Sequence, residues 1–363
     1  MQVYRILVMV VSFNCGGTVM KRIIISAFVL VSAMISCQKT TAPEQPASSA
    51  IKMTLTATIG NEDTKVSYEE VDNVLKTAWE LYDKVSVLSV DVSGNLVSND
   101  IFTAKTVGKT AQFEGDFTND PNTKAVYVYY PALVQGDGSP ENPYSVYSPD
   151  SYNATGVLNG VKKGQPYLTF YNSYQLQRSN AGTSHLGQYL VMSGKADLDG
   201  LKESGMSVTI EHRSYVIKTT FKLPEKGLTV KSARMNFNLQ EPNVGIGGFG
   251  WTCINEKDLF PGNSQDDDLS MLFGEDVVSG DGAGITLGAE EDELVVYYPA
   301  YAASFWSSQT DSYLWNTIKS GDKVSFIVTA EEGTYVLDDF EFTKETILEN
   351  GKMYRLSATL EKE

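Results

Sequence analysis

The chain has 363 residues, with 45 acidic side chains against 29 basic ones and a net charge of −16. So acidic a surface repels phosphate backbones and anionic lipid heads, which excludes nucleic acid as a partner and a basic patch as a membrane anchor. Three cysteines and two histidines leave little material for a disulfide framework or a zinc site.

Residues 1–19 run ahead of a second start, Met20, and read as an upstream mis-start. Lys21 and Arg22 then lead an uncharged run from Ile23 to Ile35 that ends at Ser36 and Cys37. A short basic flank, an apolar core too short to span a bilayer and a small residue before the cut are the physical needs of a signal peptide. Residues 1–36 are therefore expected to be removed, taking Arg5, Lys21 and Arg22 with them and no acid. A cut at Cys15 is the rival, but Asn14 is a poor residue to precede it. Met34-Ile35-Ser36-Cys37 resembles the lipobox of bacterial lipoproteins, which implies acylation of Cys37. Several acyl chains, at roughly 0.8 kcal/mol per buried methylene, hold a protein on a bilayer without a transmembrane helix. Residues 37–50, rich in Thr, Ala, Pro and Ser, cannot bury a core and read as a flexible tether.

The folded part opens with Met53, Leu55, Ala57 and Ile59 alternating with Lys52, Thr54, Thr56 and Thr58, the period of a half-buried strand. Between Val66 and Asp83 two readings compete. Val71, Leu75 and Trp79 fall at helical spacing, whereas Asp72-Asn73 makes a hairpin turn between Val66-Ser67-Tyr68 and Val74-Leu75-Lys76; the hairpin is favoured. Further strands are expected at Val85 to Val90, Ala125 to Tyr130, Gln188 to Met192, Ser207 to Ile210, Tyr215 to Leu223 and Thr229 to Phe237. Others follow at Leu294 to Tyr298, Val324 to Val328, Thr334 to Val336 and Met353 to Leu360, with a short helix around Ser312 to Ile318. Turn clusters separate them at Gly136 to Pro140, Gly194, Ser279 to Gly282 and Asn350-Gly351. Many short strands with few helices predict an all-β chain of two tandem antiparallel β-sandwiches, 51–205 and 206–363. Val126 to Ala132 resembles Leu294 to Ala300, and Asp83 to Ser86 recurs as Asp322 to Ser325, but in reversed order, so tandem duplication is not supported.

No catalytic, cofactor or metal site is expected. Gly245-Ile246-Gly247-Gly248-Phe249-Gly250 fits a dinucleotide fingerprint on spacing alone, yet Trp251-Thr252-Cys253-Ile254 reads as strand or loop where a helix is required. Ser49 to Lys52 and Ser320 to Lys323 match a Ser-x-x-Lys pattern without its companion motifs. Asp266 to Asp268, Asp281 and Glu290 to Glu293 lack the spacing of a calcium loop and read as solvated turns. Cys253 reads as a small buried hydrophobe, and His185 and His212 as structural histidines. Trp79, Trp251, Trp306 and Trp315, with the tyrosines of the two Tyr-Tyr-Pro strands, are read as core, with an exposed subset left open as a glycan platform.

Several segments, in this order, are similar to the fimbrillin-like lipoproteins of Gram-negative anaerobes. They are the threonine-rich first strand, Trp79 with Asp83-Lys84-Val85, Phe113-Glu114-Gly115, Tyr129-Tyr130-Pro131, Gln175 or Gln177, Gln188 to Val191, Ile210-Glu211-His212 and Gly351-Lys352-Met353-Tyr354. The resemblance spans most of residues 51–363. It implies transthyretin-like sandwiches and a non-enzymatic fimbrial anchor, accessory or structural subunit at the cell outer membrane, lipid-anchored through Cys37. Such a subunit joins others by strand exchange at an open sheet edge and takes part in adhesion. A stand-alone surface lipoprotein binding a host or glycan ligand is the alternative. Family shaft subunits are trimmed at an arginine near the first strand, whereas here the arginine after Arg22 is Arg178. Release of the first strand would need another cut, as at Lys52 or Lys65, or the chain stays intact.

Overall fold

The alternation around Met53 forms a strand, Ser49–Ile59, whose inward side chains Leu55, Ala57 and Ile59 are fully buried. In the computed structural model the residues described are 49–60, 69–71, 74–133, 144–147, 167–171, 175–196, 205–239, 249–253, 260–261, 268–275, 277–278, 281–300, 305–307, 312–314 and 317–363. All of them fall in one unit, Ala47–Glu363. The chain is all-β apart from one four-residue helix among the described residues, Leu186–Tyr189. Cys37, its signal segment and most of the tether lie outside the described residues.

The first half closes into a barrel. In order around it run the lead strand Ser49–Ile59, then Met206–His212, Met192–Ala196, Ala125–Tyr130, Lys84–Val90, Leu96–Ala104 and Thr110–Asn119, which returns to the lead strand. Every ladder is antiparallel except that between the lead strand and Met206–His212, which is parallel from Leu55↔Met206 to Ile59↔Ile210. Closure satisfies main-chain groups that an open sheet leaves bare at its edges. The sequence pattern predicts a two-sheet sandwich here; the double pairing of the lead strand makes it a barrel instead. Its interior holds Leu55, Val87, Phe102, Phe113, Val128 and Ile210, among others.

The second half has two sheets that share one core. One takes the order Gln175–Gln177, Asp268–Phe273, Thr229–Asn238, Lys323–Ala330, Gly333–Glu341, Glu361–Lys362, with Ile285–Thr286 also on Thr229–Asn238. The other takes Glu293–Ala300, Tyr215–Lys222, Met353–Thr359, the last pair parallel. Phe221 and Tyr298 of the smaller sheet meet Met235, Phe326 and Tyr335 of the larger, with Phe221 and Phe326 edge to face at 5.4 Å. Pairing crosses the sequence-based division at 205/206 in three places among the described residues, one of them between Tyr167–Tyr171 and Phe249–Cys253. Gln175–Gln177 joins the second half's larger sheet, and Met206–His212 is a stave of the barrel.

Several local expectations are corrected. Gln188 and Tyr189 belong to the helix Leu186–Tyr189, and the strand there begins at Met192. Ser312–Leu314 and Thr317–Ile318 are strands, not a helix. Val74–Lys76 is an arm of an antiparallel pair as the hairpin reading has it, but its partner is Glu69–Val71 and not Val66 to Tyr68, which with residues 72–73 lie outside the described set. Gly194 is not in a turn. It sits inside Met192–Ala196, where a Cβ would come within 2.2 Å of the Thr209 carbonyl oxygen. Gly115 is likewise enforced by contact, because a Cβ there would come within 2.6 Å of the Phe102 ring. Gly194→Ala is accordingly expected to destabilise the barrel by about 1–3 kcal/mol, read as a lowered midpoint in urea unfolding followed by tryptophan fluorescence.

Candidate functional site: the strand edges

In a protein made of sheets, the groups left to bind another chain are the outward N–H and C=O groups of strands without a neighbour. Three places control them here.

The first is the seat of the lead strand. From Ser49 to Thr58 it lies against Thr110–Asn119, and from Leu55 to Ile59 it lies also against Met206–His212. Trp79, 1% exposed, sits beneath it and donates its indole Nε1–H to the Ala57 carbonyl oxygen at 3.1 Å. The indole is held edge-on by Phe113 at 4.9 Å and Tyr130 at 5.3 Å. Its main chain is tied to Gly108 in both directions, at 2.9 and 3.0 Å. Just beyond, the Asp83 carboxylate accepts the Glu80 N–H at 2.7 Å while Tyr82 takes a positive φ of 73°. Burial pushes the Asp83 carboxyl up from 3.8 to about 6 against the lowering effect of its hydrogen bonds from Glu80 and Tyr130. Trp79 thus clamps the lead strand in its seat, and Asp83 closes the turn that follows Trp79.

The second is the outer edge of Glu293–Ala300, where no strand pairs among the described residues and side chains take its place. Asn180 donates through Nδ2 to the Glu293 carbonyl at 3.0 Å and accepts the Val295 N–H on Oδ1 at 2.8 Å. Gln177 donates through Nε2 to the Val295 carbonyl at 2.8 Å and accepts the Tyr297 N–H on Oε1 at 3.1 Å. His185 Nε2 lies 2.9 Å from the Tyr297 carbonyl, and since a carbonyl only accepts, that nitrogen carries the proton. Gln175 Nε2 donates to the Pro299 carbonyl at 2.9 Å, and Pro299 has no N–H to satisfy. Two primary amides thereby stand in for peptide units, and the edge is sealed from Glu293 to Pro299. Gln175, Gln177 and His185 are each at most 1% exposed.

The third is the outer edge of Met353–Thr359, which pairs with no strand among the described residues. Val216 N–H bonds the Lys352 carbonyl at 3.0 Å and Leu360 N–H bonds the Lys222 carbonyl at 2.9 Å. Even-numbered residues of this strand thus face their partner Tyr215–Lys222, so the main-chain groups of 353, 355, 357 and 359 face outward.

The residues weighed in the sequence for chemistry are mostly engaged in structure. His185 and His212 are buried, and desolvation lowers them to about 4 and about 3. Glu290 pairs with Lys226 at 2.7 Å, Asp292 with Lys222 at 2.5 Å, and Glu291 accepts the Gly288 N–H. Lys323 pairs with Asp339 at 3.1 Å, and Lys52 with Asp116 at 2.8 Å. Of the Gly-rich run, Phe249 and Gly250 belong to a strand, Phe249–Cys253, paired with Tyr167–Tyr171, and residues 245–248 lie outside the described residues. Tyr129, Tyr130, Tyr297 and Tyr298 are buried. Among the described residues no group of His, Cys, Asp and Glu could hold a metal ion, and no helix is long and apolar enough to cross a membrane. Of the tryptophans, Trp315 lies outside the described residues.

No family model matches the chain, and no curated protein matches it. Solved structures do. A candidate cell adhesion protein from Bacteroides ovatus ATCC 8483 is similar at 15% identity and a TM-score of 0.42, over 87% of this chain and 96% of that one. A fimbrial protein from the same organism is similar at 14% identity and a TM-score of 0.28, over 86% of this chain and 49% of that one. A fimbrial assembly protein from Parabacteroides distasonis ATCC 8503 is similar at 15% identity and a TM-score of 0.27, over 81% of this chain and all of that one. Likeness this remote transfers no residue's role.

Two outcomes are expected. Because the folded pKa of Asp83 is raised, its favourable contribution is full below about 3.8 and lost as pH rises through about 6. Asp83→Asn should therefore be more stable than the parent at pH 7, with the gap closing by pH 4, in denaturation curves run side by side. Gln177→Ala strands the Tyr297 N–H and leaves the Val295 carbonyl with only the longer bond from the Ala181 N–H at 3.3 Å. It should cost about 1–3 kcal/mol and speed hydrogen exchange at the Tyr297 amide, with little change inside the barrel.

Proposed function

We propose that the chain is a non-enzymatic cell-surface subunit of the fimbrillin-like kind, an anchor, accessory or structural component of adhesive fimbriae that joins its neighbours by strand exchange. The observation that carries this reading is the lead strand. It is the first strand after the tether, it fills a slot between Thr110–Asn119 and Met206–His212, and its ladder with the latter is the barrel's one parallel pairing among the described residues. A strand seated in that way can be replaced in the slot by an extended segment of equal pattern from another chain, with the same ladder bonds re-formed. Residues carrying the family resemblance fall on the fittings of this architecture: Trp79 clamps the lead strand, Gly115 faces it at Met53, and Gln177 seals an edge.

Both histidines are buried, so neither can exchange protons with a substrate in solution, which supports a binding role over a catalytic one. In this reading Cys37 carries the acyl chains, residues 37–50 are the tether, and the protein is held on the outer membrane. The folded part is read as two tandem domains of transthyretin-like descent, the first closed into a barrel.

The test is an SDS gel of sheared native cells, blotted for this protein, with and without boiling. A ladder that collapses on heating is expected; a single band at the monomer position in both lanes would favour a stand-alone binding lipoprotein, to be taken to a glycan array. Cys37→Ser should move the protein from the detergent phase to the aqueous phase, and unchanged partitioning would remove the anchor.

A further inference from the structure

Among the described residues, three large apolar side chains that stand well out in solvent belong to one place on the barrel rim. They are Leu81, 51% exposed, Tyr82, 72%, and Val107, 60%. Two sets of main-chain bonds bring them together. Trp79 and Gly108 bond each other in both directions, and Ala104 accepts the Tyr82 N–H at 3.2 Å and donates to the Asp83 carbonyl at 2.8 Å. Residues 80–82 and 105–107 are therefore facing loops between those rungs. The second loop is pinned from behind. Lys105 N–H bonds the Gln112 carbonyl at 2.7 Å, Gln112 N–H bonds Thr106 Oγ1 at 2.8 Å, and Ile59 N–H bonds the Lys109 carbonyl at 3.1 Å. The patch is thus ordered before anything binds, which lowers the entropic cost of binding.

Two features point to an occupant. Tyr82 holds a φ of 73°, a conformation that a bulky residue avoids and that glycine or asparagine adopts with little strain. The turn that enforces it, with the Glu80 N–H on the Asp83 carboxylate and the Asp83 N–H on the Glu80 carbonyl, leaves the ring in water. Among the described residues that ring packs on no other ring and its hydroxyl has no hydrogen-bond partner. The second feature is charge. Over residues 79–84 and 103–110 the exposed ionic side chains are Lys84, Lys105 and Lys109 against Glu80 alone, in a chain whose acids outnumber its bases 45 to 29. Asp83 is partly buried and its carboxylate already accepts the Glu80 N–H. None of the three lysines pairs with an acid among the described residues.

We infer that this rim patch binds an acidic glycan, with a sugar ring stacked on Tyr82 and its carboxylate or sulfate held by the lysines. An exposed aromatic ring offers an apolar face with a polar tip, and ammonium groups make charge-assisted hydrogen bonds to an anion. Size decides against a protein partner: a standard contact buries about 800 Å² on each side, far more than three side chains supply, whereas a sugar ring needs one aromatic face. An anionic bilayer would suit the lysines but is repelled by the rest of so acidic a chain. The patch also lies where the lead strand ends, about 33 Å along it from Ser49, and so at the end of the barrel remote from the proposed tether. The inference uses the cell-surface reading only for access to such a glycan. Binding by the purified chain and the ladder on an unboiled gel are separate measurements, so either can fail alone.

The test is calorimetric titration of the purified full chain with hexasaccharides of hyaluronan, of chondroitin sulfate and of neutral cellulose, at low and high salt, beside phosphatidylserine vesicles. At least one acidic hexasaccharide should bind, about tenfold or more tighter than the neutral one, and more weakly as salt rises. Tyr82→Asn keeps a residue that tolerates the left-handed turn and removes the ring. It should lose about tenfold or more in affinity while its midpoint in urea does not fall. Lys105→Gln with Lys109→Gln should lose a similar factor and most of the salt dependence, with circular dichroism unchanged. Five results would each overturn the proposal: no binding of either acidic hexasaccharide, equal binding of the neutral one, full affinity in either variant, a loss in Tyr82→Asn that comes with a lower midpoint, or binding confined to the vesicles.

Discussion

Everything in this protein turns on where the main-chain hydrogen bonds of its outermost strands go. A buried N–H or C=O left unmade costs about 1–3 kcal/mol, and a strand of seven residues presents several of them along one edge. The first half removes the problem by closing, with the lead strand bonded on both sides where it passes Met206–His212. The second half cannot close, because its smaller sheet has three strands against a much wider one. It therefore has to deal with its edges one at a time.

The solution at Glu293–Ala300 is unusual in using amides of side chains where another strand would use its backbone. Asn180 and Gln177 each present one donor and one acceptor, as a peptide unit does, to the alternate residues Glu293, Val295 and Tyr297 of the edge. The same residues could have been replaced by an apolar cover only if the edge had no polar groups to satisfy. Sealing with side chains keeps those groups bonded while offering no backbone to continue the sheet. It also ties the segment around Gln175–Gln177, which is followed in sequence by barrel strands, to the second half.

Much of this was legible in the residues. The alternation of Lys52 to Ile59, the β-branched runs at Tyr215 to Leu223 and Val324 to Val328, and the excess of turns all predicted strands, and the strands are there. The barrel was not legible, because closure is decided by which strand the lead strand meets on its second side, and that partner pairs Met206 with Leu55, far away in sequence. Thr110–Asn119 is not among the strands expected from the sequence; its Gly115 is demanded by Phe102 across the barrel. Gly194 is likewise demanded by a contact and not by a turn. Gln177 was marked only by resemblance. Its role depends on the spacing between two main-chain groups on a distant strand, which no local pattern encodes.

Two of the parallel ladders, Ser49–Ile59 with Met206–His212 and Tyr215–Lys222 with Met353–Thr359, have a mechanical meaning. Tension drawn along the chain, from the tether ahead of Ser49 to the segment beyond Thr359, pulls the lead strand by its beginning while Met206–His212 is held by its end. The load passes through the short reversal at Arg213 and Ser214 into Tyr215–Lys222, which is held by its beginning as Met353–Thr359 is pulled by its end. In both places neighbouring strands slide lengthwise past one another, so the rungs between them must fail together rather than peel singly. A molecule strung between a membrane and a moving surface would carry force along the direction in which its sheets are hardest to part.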